Sequence, residues 1–504
     1  MPSVANLDFE NPVGLSSSQI ETIAIIGGGA SGAIILDALL KEPHSKIKKI
    51  TVFERQAKLG GVWLFNPQTI KTPNHLIKSG NLNLENDPQL SNPFLEHKYT
   101  RKIILPKNQQ ERFVQTPSYH GIKTNIIEQM MTYSDANKWD TTEEDTKYVV
   151  GTVVQDYIEK YIERNLSDPR VDLKLNSTVE DVERIARNDG YDDDKIQADI
   201  PYRFKVTVRT PHDEHQDLWY QQEFDSIVVA TGHYHVPFIP HVPGLKQVQE
   251  TFPDLVQHAK FYRKSEDYKN KTVVVVGSRA SGCDLTKFVA REPHATVYQS
   301  IRNFDRTRFF SSRPNVIIKP PISNFAIDNK HNKLTVNFED GSSLVQPDHV
   351  IYCTGYLFSY PYLNRLFDNS ITYEGQTVSN LYQHTFLIQE PLIPFVGVPI
   401  DGISFRVFEY QAVLVSRFLT GKIQLPARNH QLQWVKERYQ TKQNTRLFHT
   451  IGVVDALAYL QTLTQLGQVS SKVGVGREFP AMTPEDVLVY KEAGETLRKF
   501  WDER

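Results

Sequence analysis

The sequence predicts an α/β fold with two Rossmann-like dinucleotide-binding domains, the second inserted in the first, because one local pattern occurs twice. In each copy a β-branched run leads into a glycine-rich turn and then into a helical pattern. The glycines of the pattern are Gly27, Gly29 and Gly32 in the first copy, and Gly277 and Gly282 in the second. Two such turns indicate that one chain binds two dinucleotides.

The first copy begins with a strand over residues 22–26 and continues through the glycine turn into a helix. Ala30 and Ser31 open this helix, and its N-terminus is expected to face a pyrophosphate. The next strand, residues 50–53, ends at Glu54. A carboxylate at that place accepts hydrogen bonds from ribose hydroxyls, so we expect Glu54 to contact the cofactor.

A glycine pair precedes a large aromatic side chain directly after the first copy, in the sequence Gly60, Gly61, Val62, Trp63. This arrangement predicts either a backbone that passes beside a flavin ring or a loop that closes on a core tryptophan. Polar, proline-containing sequence then continues to about residue 147. Since this is too long for a simple loop, we expect contacts to substrate or cofactor within it.

The middle of the chain predicts antiparallel strands, because residues 202–208 alternate between apolar and polar side chains and residues 223–230 form a second run. A turn at Thr231 and Gly232 ends this part. Three prolines between residues 237 and 243 follow, and they predict a linker into the second copy of the pattern.

The second copy spans about residues 271–300 and differs from the first at Arg279, which replaces the middle glycine. This substitution prevents the closest backbone approach but offers a cation to a pyrophosphate. Ser281 and Asp284 lie in the helix that follows, and we expect both to contact the cofactor.

The end of the next strand carries Ser300 and Arg302 and lacks an acidic residue. A carboxylate there would repel a 2′-phosphate, whereas an arginine and a hydroxyl favour it, so the sequence predicts NADPH rather than NADH. The alternative is that Arg302 belongs to a solvated basic cluster with Arg306 and Arg308.

The domains are predicted to be nested, because residues 350–355 repeat the apolar strand that ends in Thr-Gly. The first domain is expected over residues 1–236 and 346–504, and the inserted second domain over residues 237–345. An amphipathic helix is predicted over residues 405–419, and the rest of the C-terminal third is expected to be mixed helix.

Composition excludes several classes of protein. The 504 residues carry a formal charge of -2 and are 39% apolar, so no broad positive surface would attract nucleic acid. Two cysteines, Cys283 and Cys353, provide neither a disulfide framework nor a zinc site, and no metal is expected. The sequence shows no apolar run of spanning length and no N-terminal leader, which predicts a cytoplasmic protein without a transmembrane segment.

Four segments together resemble the flavin-containing monooxygenases of the dimethylaniline N-oxide-forming type. Residues 252–262 are similar to the family's F-x-G-x-x-x-H-x-x-x-[FYW] pattern, with Asp254 in place of glycine, then His258, and Tyr262 as the final aromatic. Residues 59–63 resemble its G-G-x-W. The other matches are residues 353–356 to its A-T-G-Y, and residues 408–412 with 425–426 to its E-x-Q and L-P.

This resemblance implies FAD in the first domain, NADPH in the second, and a C4a-hydroperoxyflavin that oxygenates a soft nitrogen or sulfur nucleophile of a small molecule, with O2 as co-substrate. The resemblance also implies that Asn125 contacts flavin and nicotinamide, with Thr124 beside it in the cofactor site. His258 has either a chemical or a structural role. A homodimer and a peripheral location at the endoplasmic reticulum surface are both compatible with the resemblance.

The sequence leaves three alternatives to this activity open. A Baeyer-Villiger monooxygenase would insert oxygen into a ketone, and Tyr262 in place of tryptophan argues against it. A pyridine nucleotide-disulfide reductase would need a redox cysteine pair near the flavin. A regulatory protein that keeps the fold without catalysis would account for the departures at Arg279 and Asp254.

Overall fold

The computed structural model describes residues 11–15, 20–68, 87–97, 100–109, 115–141, 148–187, 201–302, 311–452, 455–470, 473–486, 488–489 and 492. Its strands are β1 (Thr22–Ile26), β2 (Lys49–Phe53), β3 (Lys102–Pro106), β4 (Val171–Lys174), β5 (Thr178–Ala186), β6 (Tyr202–Pro211), β7 (Gln216–Phe224), β8 (Ser226–Val229), β9 (Val236–Pro237), β10 (Val256–His258), β11 (Thr272–Val276), β12 (Thr296–Ser300), β13 (Val316–Lys319), β14 (Ile322–Asp328), β15 (Lys333–Phe338), β16 (Ser343–Val345), β17 (His349–Tyr352), β18 (Tyr356–Leu357), β19 (Thr372–Tyr373), β20 (Thr377–Val378), β21 (Leu381–Tyr382) and β22 (Phe386–Leu387).

The α-helices of the described residues are α1 (Ala30–Lys41), α2 (Gly151–Glu163), α3 (Leu245–Thr251), α4 (Ala280–Ala290), α5 (Ser404–Leu419), α6 (Arg428–Lys442) and α7 (Ala456–Leu466). Short 3-10 turns occupy Gly61–Trp63, Pro93–Leu95, Glu128–Met130, Ala259–Phe261, Ser265–Tyr268, Pro361–Leu363 and Arg446–His449. The amphipathic pattern at residues 405–419 therefore forms α5, as the sequence predicts.

The first domain is built on a parallel sheet with the strand order β4-β2-β1-β8. Strand β1 is an apolar run and is almost wholly buried. Such runs are typical of parallel sheets, because helices cover both of their faces. The chain returns to this sheet after the second domain, where Phe395 forms a parallel bridge with Val229 of β8. Helix α5 then packs against α1. These contacts are compatible with the predicted first domain made of two separated parts of the chain, and its boundaries stay a prediction.

The second domain is built on a parallel sheet with the order β10-β17-β11-β12-β13. Successive residues of β11 point to opposite faces, so Val274 packs in one core and Val273 and Val275 pack in another. Strand β17 belongs to this sheet although it begins at His349, beyond the expected boundary at residue 345. We therefore propose that the second domain ends after this strand.

Two further regions complete the first domain. An antiparallel sheet with the order β3-β7-β6-β5 contains the strands that the sequence predicts before residue 230. The C-terminal third differs from the expected mixed helix, because residues 356–387 form short strand pairs before α5 begins. Buried aromatic and β-branched side chains such as Tyr382 and Phe386 favour extended backbone there.

Candidate functional site

A large cavity of about 980 Å³ lies between the two glycine turns. Gly27, Gly29 and Ser31 line it on the side of the first domain, and Arg279 and Ser281 line it on the side of the second. The carboxyl ends of parallel strands are where α/β proteins bind ligands, and the cavity lies at that end of both sheets. Both predicted dinucleotide turns therefore open onto the same space.

The first turn brings helix α1 very close to strand β1. Gly27 has a φ of +115°, and a Cβ atom added to it would lie 2.5 Å from the carbonyl oxygen of Ala230. A Cβ atom on Gly32 would collide with the carbonyl oxygen of Gly27. Glycine is therefore required at both positions for steric reasons, with Gly27 shaping the turn and Gly32 allowing the helix to pack.

Glu54 lines the cavity and is almost fully buried, with 5% of its surface exposed. Its Oε2 accepts a hydrogen bond from the Gly28 amide at 2.7 Å, and its Oε1 accepts one from the Gln56 amide at 2.8 Å. Burial raises the pKa of this carboxyl, and the two backbone hydrogen bonds oppose that effect. Glu54 thus ties the first turn to the end of β2, and the ribose contact stays a prediction.

The glycine pair after β2 lies against the first turn. A Cβ atom on Gly61 would lie 3.0 Å from the Cα atom of Gly29, so the two backbones are in direct contact. Gly61, Val62 and Trp63 all line the cavity, and Trp63 is half-buried. A tryptophan that closed only a core would be more deeply buried, so this placement favours the prediction of a cofactor contact.

The second turn repeats the steric arrangement of the first. Gly277 has a φ of +122°, and a Cβ atom on it would lie 2.7 Å from the carbonyl oxygen of Cys353. A Cβ atom on Gly282 would collide with the carbonyl oxygen of Gly277. Since neither glycine can be replaced without moving backbone, both serve to bring α4 against β11.

Asp284 lines the cavity from helix α4 and accepts a hydrogen bond from the Tyr119 hydroxyl at 2.6 Å. Burial and the neighbouring Asp284 carboxylate both raise the pKa of Tyr119. Tyr119 therefore stays protonated, and its hydrogen bond to Asp284 links the part of the chain that leads to Asn125 to the second domain.

Ser300 adjoins the second turn through its backbone, because its carbonyl oxygen accepts a hydrogen bond from the Gly277 amide at 2.9 Å, but neither Ser300 nor Arg302 is among the described residues that line the cavity. Ser300 is the last residue of β12, is 3% exposed, and donates its hydroxyl hydrogen to the Pro320 carbonyl at 3.0 Å. Arg302 is exposed just after the strand. A contact of either residue with a 2′-phosphate stays a prediction, and Arg306 and Arg308 lie outside the described residues.

Asn125 lines the cavity and is half-buried, whereas its neighbour Thr124 is fully buried. The Thr124 hydroxyl accepts a hydrogen bond from the Val149 amide at 3.2 Å, and the Thr124 amide donates to the Val149 carbonyl at 2.9 Å. These bonds fix the backbone from which Asn125 projects. The predicted role of Asn125 is compatible with this position.

The C-terminal segment that returns to the first domain supplies cavity residues that the sequence did not reveal, namely Gly397, Pro399, Asp401, Ser404, Phe405 and Phe408. Gly397 donates its amide hydrogen to Oε1 of Gln411 at 2.9 Å and packs against Ser31. The E-x-Q match was the available signal, because Gln411 is its glutamine.

His258 is fully buried and has a structural environment. Its Nδ1 accepts a hydrogen bond from the Lys260 amide at 3.1 Å, and its Nε2 lies 3.0 Å from the Gly355 carbonyl, to which it donates. Burial lowers its pKa to about 3. The neutral ring thus joins the linker between the domains to the second Thr-Gly turn.

Two buried histidines predict that acid destabilises the protein. Burial lowers the pKa of His233 and of His258 to about 3, so below pH 6.5 the unfolded chain binds protons that the folded chain does not. Each should remove about 1.4 kcal/mol of unfolding free energy between pH 7.5 and 5.5. In urea melts, His258→Asn should reduce the difference in unfolding free energy between pH 7.5 and pH 5.5, and an unchanged difference would contradict this expectation.

The residues present fit two dinucleotides. Helices α1 and α4 both begin at the cavity, and among the described residues neither N-terminus receives a side-chain cap. Their first amide groups are therefore open to an anion such as a pyrophosphate. The glycines beside them leave space that a Cβ atom would fill. FAD at the first turn and NADPH at the second match this arrangement.

Models of known protein families match successive parts of the chain. The model described as FAD-NAD(P)-binding matches residues 24–199, that of pyridine nucleotide-disulphide oxidoreductases matches residues 220–388, and that of flavin-binding monooxygenase-like proteins matches residues 309–487. A disulfide reductase would need a reactive cysteine pair. Cys283 and Cys353 are both buried thiols, and burial raises the pKa of Cys353 far above its usual value, which makes it a poor redox nucleophile.

Named relatives match nearly the whole chain. The flavin-containing monooxygenase ustF2 of Aspergillus flavus is 27% identical over 87% of this chain and 90% of its own length. The flavin-containing monooxygenase FMO GS-OX5 of Arabidopsis thaliana is 27% identical over 85% and 81%. The solved structure of S-allyl-L-cysteine S-oxygenase from Allium sativum has the same fold, with a TM-score of 0.70, 22% identity, and 96% of each chain covered. Within the described residues, no helix combines the length and apolarity needed to cross a membrane.

Proposed function

Because the chain belongs to the flavin-containing monooxygenase family and is an NADPH- and FAD-dependent monooxygenase, we propose that it oxygenates a soft nitrogen or sulfur nucleophile of a small molecule. The observation that carries this proposal is the cavity onto which both uncapped helix N-termini open. Hydride transfer requires the two coenzymes to meet, and a shared cavity allows it. A homodimer and a location at the endoplasmic reticulum surface stay predictions.

The chain's own residues would bind, orient and shield the coenzymes. Bound FAD supplies the redox chemistry, since it accepts hydride from NADPH and, once reduced, activates O2. The amide groups at the start of α1 would hold the FAD pyrophosphate, and Trp63 would cover the flavin. The amide groups at the start of α4, with Arg279, would hold the NADPH pyrophosphate.

Bound flavin would have to be shielded from water, because a solvated site would favour release of hydrogen peroxide over oxygenation of the substrate. Apolar side chains that line the cavity provide this exclusion: Trp63, Ile122, Ile126, Met131, Phe405 and Phe408. No residue needs to act as a general acid or nucleophile, since the flavin carries the reaction.

The type of substrate is tested by a comparison of three model compounds. A thioether, a tertiary amine and a cyclic ketone are incubated with holoenzyme, NADPH and O2, and products are identified by mass spectrometry. The thioether is the first choice because the Allium sativum protein of the same fold is an S-oxygenase. Sulfoxide or N-oxide is expected. A lactone as the main product would contradict the proposal and establish the Baeyer-Villiger alternative.

Asn125→Ala should uncouple the reaction. Asn125 lines the cavity on a segment fixed by Thr124, and an amide there would orient bound flavin and nicotinamide. We expect the yield of oxygenated product per NADPH to fall about 10- to 100-fold, with hydrogen peroxide released instead. A peroxide assay beside NADPH consumption measures this. The exposed Asn429→Ala variant is the control, and unchanged coupling in Asn125→Ala would remove Asn125 from the site.

Arg302→Ala should weaken NADPH binding by about 1.5 to 3 kcal/mol, the value of a charge-assisted hydrogen bond, and leave NADH binding nearly unchanged. The reason is that only NADPH carries the 2′-phosphate. Arg302 is exposed directly after β12, so it is free to reach a bound coenzyme. Dissociation constants of NADP⁺ and NAD⁺ for the holoenzyme measure the effect. Equal losses of affinity for NADP⁺ and NAD⁺ would mean that Arg302 does not contact the 2′-phosphate.

A further inference from the structure

Arg279 forms an ion pair with Asp401 at the wall of the cavity. Arg279 stands directly before α4 in the second domain, and Asp401 precedes α5 in the segment that returns to the first domain. Both side chains are partly exposed, Arg279 by 50% and Asp401 by 33%. The pair therefore joins the two domains beside the second glycine turn.

A pyrophosphate at the start of α4 would meet two groups with opposite effects. The Arg279 guanidinium attracts it and can donate charge-assisted hydrogen bonds. The Asp401 carboxylate repels it and already holds the guanidinium. An incoming dinucleotide can thus gain Arg279 as a partner only if it displaces Asp401.

We propose that NADPH displaces Asp401 from Arg279 when it binds, so that Asp401 lowers the affinity for the coenzyme and promotes release of NADP⁺. This inference rests on the proposed position of NADPH at the second turn. A pair this exposed contributes at most about fivefold to an equilibrium constant, so it is readily exchanged.

Asp401 is not left as an isolated charge after the exchange. Arg446 lies close enough for its charge to interact with both Asp401 and Arg279, and it donates a hydrogen bond to the Tyr356 carbonyl. A second cation therefore compensates the released carboxylate. This makes the exchange of partners a small rearrangement of charges at one place in the cavity.

The test is a set of dissociation constants for NADP⁺, measured by calorimetry on oxidised holoenzyme at low salt. Asp401 has a φ of +56°, a conformation that asparagine also adopts, so Asp401→Asn removes the charge and keeps the backbone. We expect it to tighten NADP⁺ binding about two- to fivefold. Arg279→Gln should weaken binding, and in the double variant the gain from Asp401→Asn should shrink. Added salt should reduce all these differences.

Asp348→Asn is the matched control, because Asp348 forms an ion pair of similar exposure with Lys271 at 3.1 Å, at the opposite end of β11. It should leave the affinity unchanged. Unchanged or weaker NADP⁺ binding in Asp401→Asn overturns the inference, as does an unchanged affinity in Arg279→Gln. A wild-type holoenzyme that binds no NADP⁺ would instead contradict the proposed function.

Discussion

Gly32→Ala should give a protein that does not retain FAD. The added methyl group would collide with the carbonyl oxygen of Gly27, which is backbone and cannot rotate away, so α1 must move from β1. Such overpacking costs about 1 to 3 kcal/mol even where a core can adjust, which corresponds to about fivefold to about 150-fold weaker FAD binding. The flavin content of the purified protein, read from its visible absorption, measures the loss.

Gly282→Ala is the partner experiment on the second turn, because its methyl group would collide with the carbonyl oxygen of Gly277 in the same manner. This variant should purify yellow but should be reduced by NADPH at least about tenfold more slowly at low coenzyme concentration. Gly474→Ala is the control, since its Cβ atom would have an ordinary contact of 3.5 Å. Loss of FAD from Gly282→Ala and not from Gly32→Ala would reverse the assignment of the turns.

Arg477→Met should destabilise the first domain by about 3 to 5 kcal/mol, because it removes the cation from a buried cluster of carboxylates. Arg477 is 5% exposed and donates hydrogen bonds to Asp37 at 2.5 Å, to Asp135 at 2.7 Å and to Glu409 at 3.0 Å. The side chains of Asp37 and Glu409 are at most 1% exposed. Without Arg477 they would lose much of their compensation in a medium of low dielectric constant.

Urea or thermal unfolding of the holoprotein measures this effect, and Lys160→Met is the control. Lys160 pairs with Asp140 on the surface, where both side chains are more than half exposed and water screens the pair, so its loss should leave the free energy of unfolding nearly unchanged. An Arg477→Met variant that is as stable as the control variant would show that Lys41, Arg164 and Arg406 suffice to hold the carboxylates.

The same cluster should make the protein sensitive to strong acid. Burial alone would raise the pKa of Asp135, but hydrogen bonds from Arg477 and Lys41 outweigh it and hold the pKa well below its usual value. A carboxyl with a lowered pKa stabilises the fold above the unfolded value near 3.9, and this contribution is lost as the pH falls below it. The loss therefore occurs at lower pH than that caused by the buried histidines.

The local parts of the fold could be predicted from the sequence. Helix α1 begins at Ala30, β2 ends at Phe53 directly before Glu54, and α5 covers the predicted amphipathic stretch. These elements follow from the order of residues over a few turns, because a strand, a glycine turn and a helix are set by neighbours in the chain.

Contacts between distant residues could not be predicted in this way. Arg279 and Asp401 are separated by 122 positions, and nothing near either residue indicates the other. Glu409 stood out within the E-x-Q match, but its partner Arg477 lies in a segment without a recognisable motif. The sequence predicts Ser300 at the end of a strand, with its hydroxyl close to the coenzyme. In the structure Ser300 still pairs with Lys319 in the sheet, and its hydroxyl donates to the Pro320 carbonyl. Tertiary packing decides all three cases.

We propose that NADPH and FAD are held together in the cavity between the two turns, so that hydride passes from one to the other. The test is an anaerobic titration of the FAD-loaded enzyme with NADPH, with the visible flavin absorption as the readout. We expect complete bleaching after one equivalent of NADPH per FAD. A flavin that stays oxidised while NADPH is present in excess would contradict it.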